Sequence, residues 1–338
     1  MVIDVHAHLA PTSFISSMHA HGHRFGVEVL GEAGQPPRLQ IGDWTSGPMF
    51  PALCDQDDRL VYMDANGIDV QVLSPFIDLT AYEVDPAVAV PYSTELNEAM
   101  AESVARTPGR FAGLGTAPLH AGGERAAQVL RSAMTDLGLR GVEIPTRVPG
   151  RELDDPDLDP FWAAAEQLGA FILLHPHRSR DLRPDAQPFL DFVLGNPADT
   201  TLAVGQLMFG GVLTRFPGLK VCAVHGGGFL PWQLGRMDAG WYRAFPDSSE
   251  DLLPSRQLRG LYVDSIMHRT DSLNHLLKVM GSEHILLGTD YPYALGDLTP
   301  LDTLSPTDLA EEPHRTRICC HNAATLLDLE VPATEPAR

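Results

Sequence analysis

Eight short apolar segments, seven of them linked to the next by a helical stretch, constrain this chain more than any other feature of its sequence. They lie at Val2–His8, Asp69–Ser74, Phe111–Gly115, Gly141–Ile144, Phe171–Leu174, Leu219–Val224, Leu261–Asp264 and Ile285–Gly288. Phe171-Ile-Leu-Leu174 shows no alternation, the pattern of a strand buried on both faces. The intervening helical stretches stop at strong breakers such as Asn66-Gly67, Gly138 and Gly169. Strand–helix alternation of this regularity predicts a parallel α/β fold. Eight units closing into a (β/α)8 TIM-type barrel are the expected architecture, as a single domain over residues 1–330. An open doubly wound sheet is the alternative, but no Gly-rich dinucleotide fingerprint follows the first strand.

Two stretches interrupt the alternation. Residues 10–58 read as a small inserted cap, in which Phe25–Leu30 and Arg38–Ile41 alternate around a Gly/Pro break and suggest a β-hairpin. A second insertion, rich in Arg, Asp and Pro, spans Arg178–Pro197. Residues 331–338 read as a flexible tail.

The first strand ends in His6-Ala7-His8. Side chains at i and i+2 of a strand share a side, so both imidazoles can face one ion. Two surface histidines near a terminus would look the same. The other strand ends decide more: His175 closes strand five, His225 closes strand six and Asp290 follows strand eight. In a (β/α)8 barrel these ends meet at one face, where active sites lie. His21-Gly22-His23 repeats the spacing without a strand before it and reads as a loop.

Composition excludes several partners. A formal net charge of −20 argues against nucleic acid and against an anionic membrane surface. An anionic substrate then needs a local cation to hold it. The four cysteines, Cys54, Cys222, Cys319 and Cys320, form no Cys-x-x-Cys pair, no apolar run is long enough for a bilayer, and the start carries no signal pattern. A reduced, cytoplasmic protein is the expectation.

At this point the chain resembles the amidohydrolase superfamily, in the branch of aminocarboxymuconate-semialdehyde decarboxylase. The resemblance is carried by Asp4-Val-His-Ala-His8, Arg59 with Met63-Asp64, Leu174-His175-Pro176, His225-Gly-Gly-Gly228 with Pro231 and Arg236, and Gly288-Thr-Asp-Tyr-Pro292. It implies one divalent metal, usually zinc with manganese, iron or cobalt as alternatives, held by His6, His8, His175 and Asp290. It implies an acid–base role for His225, shared with Asp290, and a homodimer in which Arg236 reaches a neighbouring subunit's site to bind a substrate carboxylate. Strand four ends Glu143-Ile144-Pro145 with no lysine, which favours one metal over two. The segment Trp44–Leu53 lacks the arginines of the branch's archetype, so an aromatic or conjugated carboxylic acid is the expected substrate. Trp44, Phe50, Trp232 and Tyr291 are candidate pocket walls. The implied reaction is non-oxidative decarboxylation, with a hydrolase or hydratase of a C–C, amide or ester bond as the alternative.

Overall fold

The computed structural model describes residues 1–31, 34–177 and 188–331. The first strand, β1 (Ile3–Leu9), is followed by an antiparallel meander of β2 (Val27–Leu30), β3 (Arg38–Ile41) and the two-residue β4 (Trp44–Thr45). The parallel strands are β1 with β5 (Val70–Pro75), β6 (Phe111–Gly113), β7 (Gly115–Thr116), β8 (Gly141–Pro145), β9 (Phe171–His175), β10 (Lys220–Ala223), β11 (Leu261–Asp264) and β12 (Ile285–Leu286). β6 and β7 are one strand interrupted at Leu114, whose N–H still donates to the Leu73 carbonyl at 2.9 Å. Pairing runs β1–β5–β6 and β7–β8–β9–β10–β11–β12. The ring closes where Val5 N–H donates to the Leu287 carbonyl at 2.9 Å and Ala7 bridges in parallel to Tyr291. The eight apolar segments thus build a (β/α)8 barrel. Residues 178–187 and 332–338, which take in much of the second insertion and nearly all of the tail read from the sequence, lie outside the described residues.

The inside of the barrel is an apolar layer of Ile3, Val5, Val72, Leu114, Phe171, Leu173, Cys222 and Leu286, floored by Ala323, Leu326 and Leu327 of the helix Asn322–Leu327. The alternate residues Ile172, Leu174, Val221 and Ala223 pack outward among Phe161, Trp162 and Leu207 of the helical layer. Both faces of Phe171–Leu174 are therefore dry, as its unbroken apolar run requires. The helices are made for one-sided burial: in Gly123–Thr135, Ala126, Ala127 and Leu130 are buried while Glu124, Gln128 and Arg131 are exposed. The helix before β5 starts at Gln56, earlier than its apolar residues suggest, because the Asp55 carboxylate accepts from the N–H groups of Asp57 and Asp58. Val27, Leu39 and Ile41 of the meander share one apolar cluster with Phe14 and Met18 of the helix Thr12–His21 and with Tyr92 of the helix Ala89–Ala105. No helix among the described residues is long and apolar enough to cross a membrane.

Candidate metal centre

The histidines of β1 reach the barrel interior through a bulge. Asp4 pairs with Gln71 and Ala7 with Leu73, so β1 uses one more residue than β5 between those pairs. An extra residue re-aims the side chains that follow it. Ile3 and Val5 belong to the inner apolar layer, and beyond the bulge His6 and His8 take over the inward direction. Asp4 instead meets the outer seam, accepting from Gln71 Nε2 at 2.7 Å and Thr289 Oγ1 at 2.6 Å. Burial pushes its carboxyl up to about 6, against the pull of those hydrogen bonds. Arg59, fully buried, donates to Gln71 Oε1 at 2.8 Å and to the His8 carbonyl at 2.6 Å. The strand that carries the histidines is thus braced from behind.

One ligand atom from each of His6, His8, His175 and Asp290 lies within 4.8 Å of the others, and all four residues are buried. Asp290 Oδ1 stands 3.1 Å from His8 Nε2 and 3.5 Å from His6 Nε2, and the two Nε2 atoms are 3.1 Å apart. The opposite ring nitrogens are already engaged. His6 Nδ1 meets Asp264 Oδ2 at 2.8 Å, His8 Nδ1 meets Ser74 Oγ at 3.2 Å, and His175 Nδ1 meets the Pro176 carbonyl at 2.9 Å. Such outer partners fix ring orientation and turn Nε2 toward an ion. His175 Nε2 and Asp290 Oδ1 are buried with no hydrogen-bond partner. Buried polar atoms are ordinarily paired, and a divalent cation at their convergence would pair both. The donor set therefore fits a metal.

The shifts of His6, His175 and Asp290 favour the deprotonated forms a metal ligand needs, and that of His8 runs the other way. Burial lowers His6 and, with the neighbouring histidines, takes His175 well below the ordinary imidazole range. Burial also works against charge on His8, but Glu143 and Asp290 outweigh it and leave His8 raised. Burial would raise Asp290, yet His6, His225 and His8 hold it well below the usual carboxylate range.

His225 sits where β10 ends and the chain turns through residues of positive φ, with His225 at φ 56° and Gly226 at φ 63°. Glycine suits this φ, and a Cβ on Gly226 would lie 2.1 Å from Met267 Sδ and displace that side chain. Asp264 pins the turn, accepting from His225 N–H at 2.9 Å and Gly226 N–H at 2.8 Å. His225 Nε2 then lies 3.6 Å from Asp290 Oδ2, with its ring 5.4 Å from those of both His6 and His175. It borders the four-residue group without joining it. Burial lowers its basicity, but Asp290 outweighs this and leaves it raised.

Residues 3–329 match the amidohydrolase family. The chain belongs to that family. A 2-amino-3-carboxymuconate-6-semialdehyde decarboxylase of Dictyostelium discoideum is 32% identical over 333 residues, spanning 97% of this chain and 92% of the relative. A gamma-resorcylate decarboxylase of Rhodococcus jostii (strain RHA1) is 28% identical over 298 residues, spanning 81% and 88%. Among solved structures, the apo form of Metarhizium anisopliae IDCase matches with a TM-score of 0.84 at 23% identity, covering 98% of each chain.

The structure distributes the other candidate residues of this amidohydrolase unevenly. Phe50 is edge-on to Tyr293 at 5.9 Å, and Tyr293 is edge-on to His8 at 5.5 Å, so Phe50 stands one ring from the centre. Trp44 meets His177 edge-on at 6.1 Å. Tyr291 does not face the histidines: its ring stacks on Tyr62 at 4.2 Å and under the Arg59 guanidinium at 4.7 Å, in the seam behind β1. The bridge to Ala7, whose side chain points away from His6 and His8, places it there. Trp232 stacks on His275 at 3.7 Å and is 54% exposed, so within one chain it walls no part of the centre. Arg236 is exposed on the helix Leu230–Ala244 and joins no ion pair among the described residues. Glu143 lies 3.8 Å from His8 Nδ1 and 3.9 Å from His175 Nδ1, on the side of the rings turned away from the convergence. Burial raises its carboxyl to about 7. Sequence reasoning missed Asp264, although it closes the seventh strand as the histidines and Asp290 close theirs. It also missed Tyr293, three residues beyond Asp290.

Proposed function

We propose that this amidohydrolase is a metal-dependent, non-oxidative decarboxylase of an aromatic or conjugated carboxylic acid. The observation that carries the reading is the convergence of His6, His8, His175 and Asp290 on two unpartnered buried atoms, with His225 at its edge. A divalent ion held by those four residues would supply a Lewis acid for the substrate's oxygens and offset the repulsion of an anion by the acidic chain. Three imidazoles and a carboxylate suit zinc, and equally manganese, iron or cobalt. Zinc is the ion we assign.

The chain's own part is proton delivery. His225 gives a proton from Nε2 to the carbon that bears the substrate carboxylate. The bond from that carbon to the carboxylate then breaks, its electron pair restores the conjugated system, and CO2 leaves. Asp290 Oδ2, 3.6 Å from His225 Nε2, favours the protonated imidazole before transfer, and solvent returns the proton afterwards. The sequence of steps is redox-neutral and needs no organic cofactor. Phe50 walls the apolar side of the substrate.

We further assign Arg236 to the substrate carboxylate of a neighbouring subunit in a homodimer, since a planar guanidinium suits bidentate carboxylate binding. The exposed Phe229 and Trp232 close by support an interface on that face. The four free cysteines support a cytoplasmic location. We treat residues 1–330 as one domain with 10–58 as its cap.

The test is CO2 release across a panel of hydroxybenzoates and conjugated carboxylic acids, metal-loaded against chelated. Metal-dependent CO2 is expected. Metal-dependent consumption that retains the carboxyl carbon would reassign the chain as a hydrolase or hydratase.

A further inference from the structure

Tyr293 has no part in proton delivery, yet its hydroxyl is buried and has no hydrogen-bond partner among the described residues. Buried hydroxyls are ordinarily paired, so this one calls for a partner. Its surroundings in the chain offer little. The Tyr293 N–H is tied to the Asp290 carbonyl at 2.9 Å, which fixes the residue beside the metal-facing carboxylate. Its ring stands edge-on to His8 at 5.5 Å, edge-on to Phe50 at 5.9 Å and tilted against Phe76 at 6.2 Å. The phenol therefore sits between the metal-facing histidines and an apolar wall. A phenol is protonated at neutral pH and can both donate and accept.

We propose that the Tyr293 hydroxyl is a specificity determinant that hydrogen-bonds an oxygen substituent on the ring of the bound carboxylic acid. The inference rests on the decarboxylase reading and deepens it: the substrate is an oxygen-substituted aromatic acid rather than a bare one. An unsubstituted ring would leave the hydroxyl unpaired among Phe50, Phe76 and His8. A site built to pair a hydroxyl discriminates strongly against an analogue that lacks it, whereas an apolar wall alone discriminates weakly.

The test compares parent and Tyr293→Phe, both metal-loaded, by calorimetric titration with benzoate and with 2-, 3- and 4-hydroxybenzoate. The parent is expected to bind at least one hydroxybenzoate roughly tenfold more tightly than benzoate. The variant is expected to lose most of that preference while its affinity for benzoate stays within about twofold. Its melting temperature should not fall, because no hydrogen bond within the chain is removed. A preference that survives the substitution, a parent without preference or without binding, or a lowered melting temperature in Tyr293→Phe would each overturn the assignment. CO2 release measured on the same four acids separates the two proposals. A preference lost in the variant without CO2 from any acid upholds the hydroxyl's role and counts against decarboxylation. CO2 with an unchanged preference does the reverse.

Discussion

Asp264 is a carboxylate that the geometry uses completely, and Asp264→Asn is the perturbation that exposes this. Oδ2 accepts from His6 Nδ1 at 2.8 Å and from His225 N–H at 2.9 Å; Oδ1 accepts from Gly226 N–H at 2.8 Å and Ile266 N–H at 3.2 Å. An asparagine has one oxygen, so either rotamer turns an NH2 toward one pair of donors. Two of four hydrogen bonds are lost, at about 1–2 kcal/mol each in a fully buried site, so the fold should lose roughly 2–4 kcal/mol. If the amide turns its NH2 toward His6, the imidazole can accept it only by moving its proton to Nε2, the atom that faces the metal. Loss of an outer partner of this kind typically lowers metal affinity 10–100-fold, roughly 1.4–2.7 kcal/mol. Competition against a graded chelator series would give metal affinity, and denaturant titration of the metal-free protein would give stability. An Asp264→Asn protein that holds metal within about twofold of the parent and unfolds at the same denaturant concentration would refute this reasoning.

Further outcomes follow from the same structure. His175→Ala should lower metal per chain by elemental analysis, while His225→Ala should keep its metal and lose turnover by roughly 100-fold or more; loss of metal from the second variant would make His225 a ligand. Arg236→Ala should raise KM about tenfold with metal content unchanged, and unaltered kinetics would remove it from substrate capture. Gly226→Ala should cost about 1–2 kcal/mol, because it places an L side chain on a backbone of φ 63° and displaces the Met267 thioether. Burial lowers His120, whose Nε2 lies 3.1 Å from the Val84 carbonyl, to about 4. Its folded pKa lies below that of the unfolded chain, so the unfolded state binds the extra proton and stability falls as pH drops from about 6.5 toward 4, by about 2 kcal/mol at pH 5. His120→Gln should flatten that part of the denaturation-against-pH curve, and an unchanged slope would contradict the account.

The barrel was legible because its strands are unbroken apolar runs separated by breakers, and burial on both faces leaves few other uses for Phe171–Leu174. The metal-facing side chains were legible because strand ends in such a barrel share one face, so separated histidines could be placed together without contacts being known. The bulge in β1 was not legible. Asp4, His6 and His8 share a two-residue spacing and read as one face, yet an extra residue sends Asp4 to the outer seam and both histidines inward. Tyr291 adjoins Asp290 in the sequence, but strand pairing with Ala7 turns its ring onto Tyr62 and Arg59. Asp264 ends a strand like the other site residues, but its acceptor role depends on a positive-φ turn at His225 that the Gly-Gly-Gly run hints at without locating. Trp232 is a large aromatic that the fold leaves on the outside, a placement that periodicity within one chain cannot foretell.

The most direct test of the central claim is decarboxylation in D2O with a carboxyl-13C substrate, metal-loaded against chelated, read by NMR of the product and mass analysis of the released gas. Labelled CO2 is expected in a one-to-one ratio with product, with one deuteron on the vacated carbon and loss of both on chelation. Product that keeps the labelled carbon, or turnover indifferent to metal, would contradict the claim.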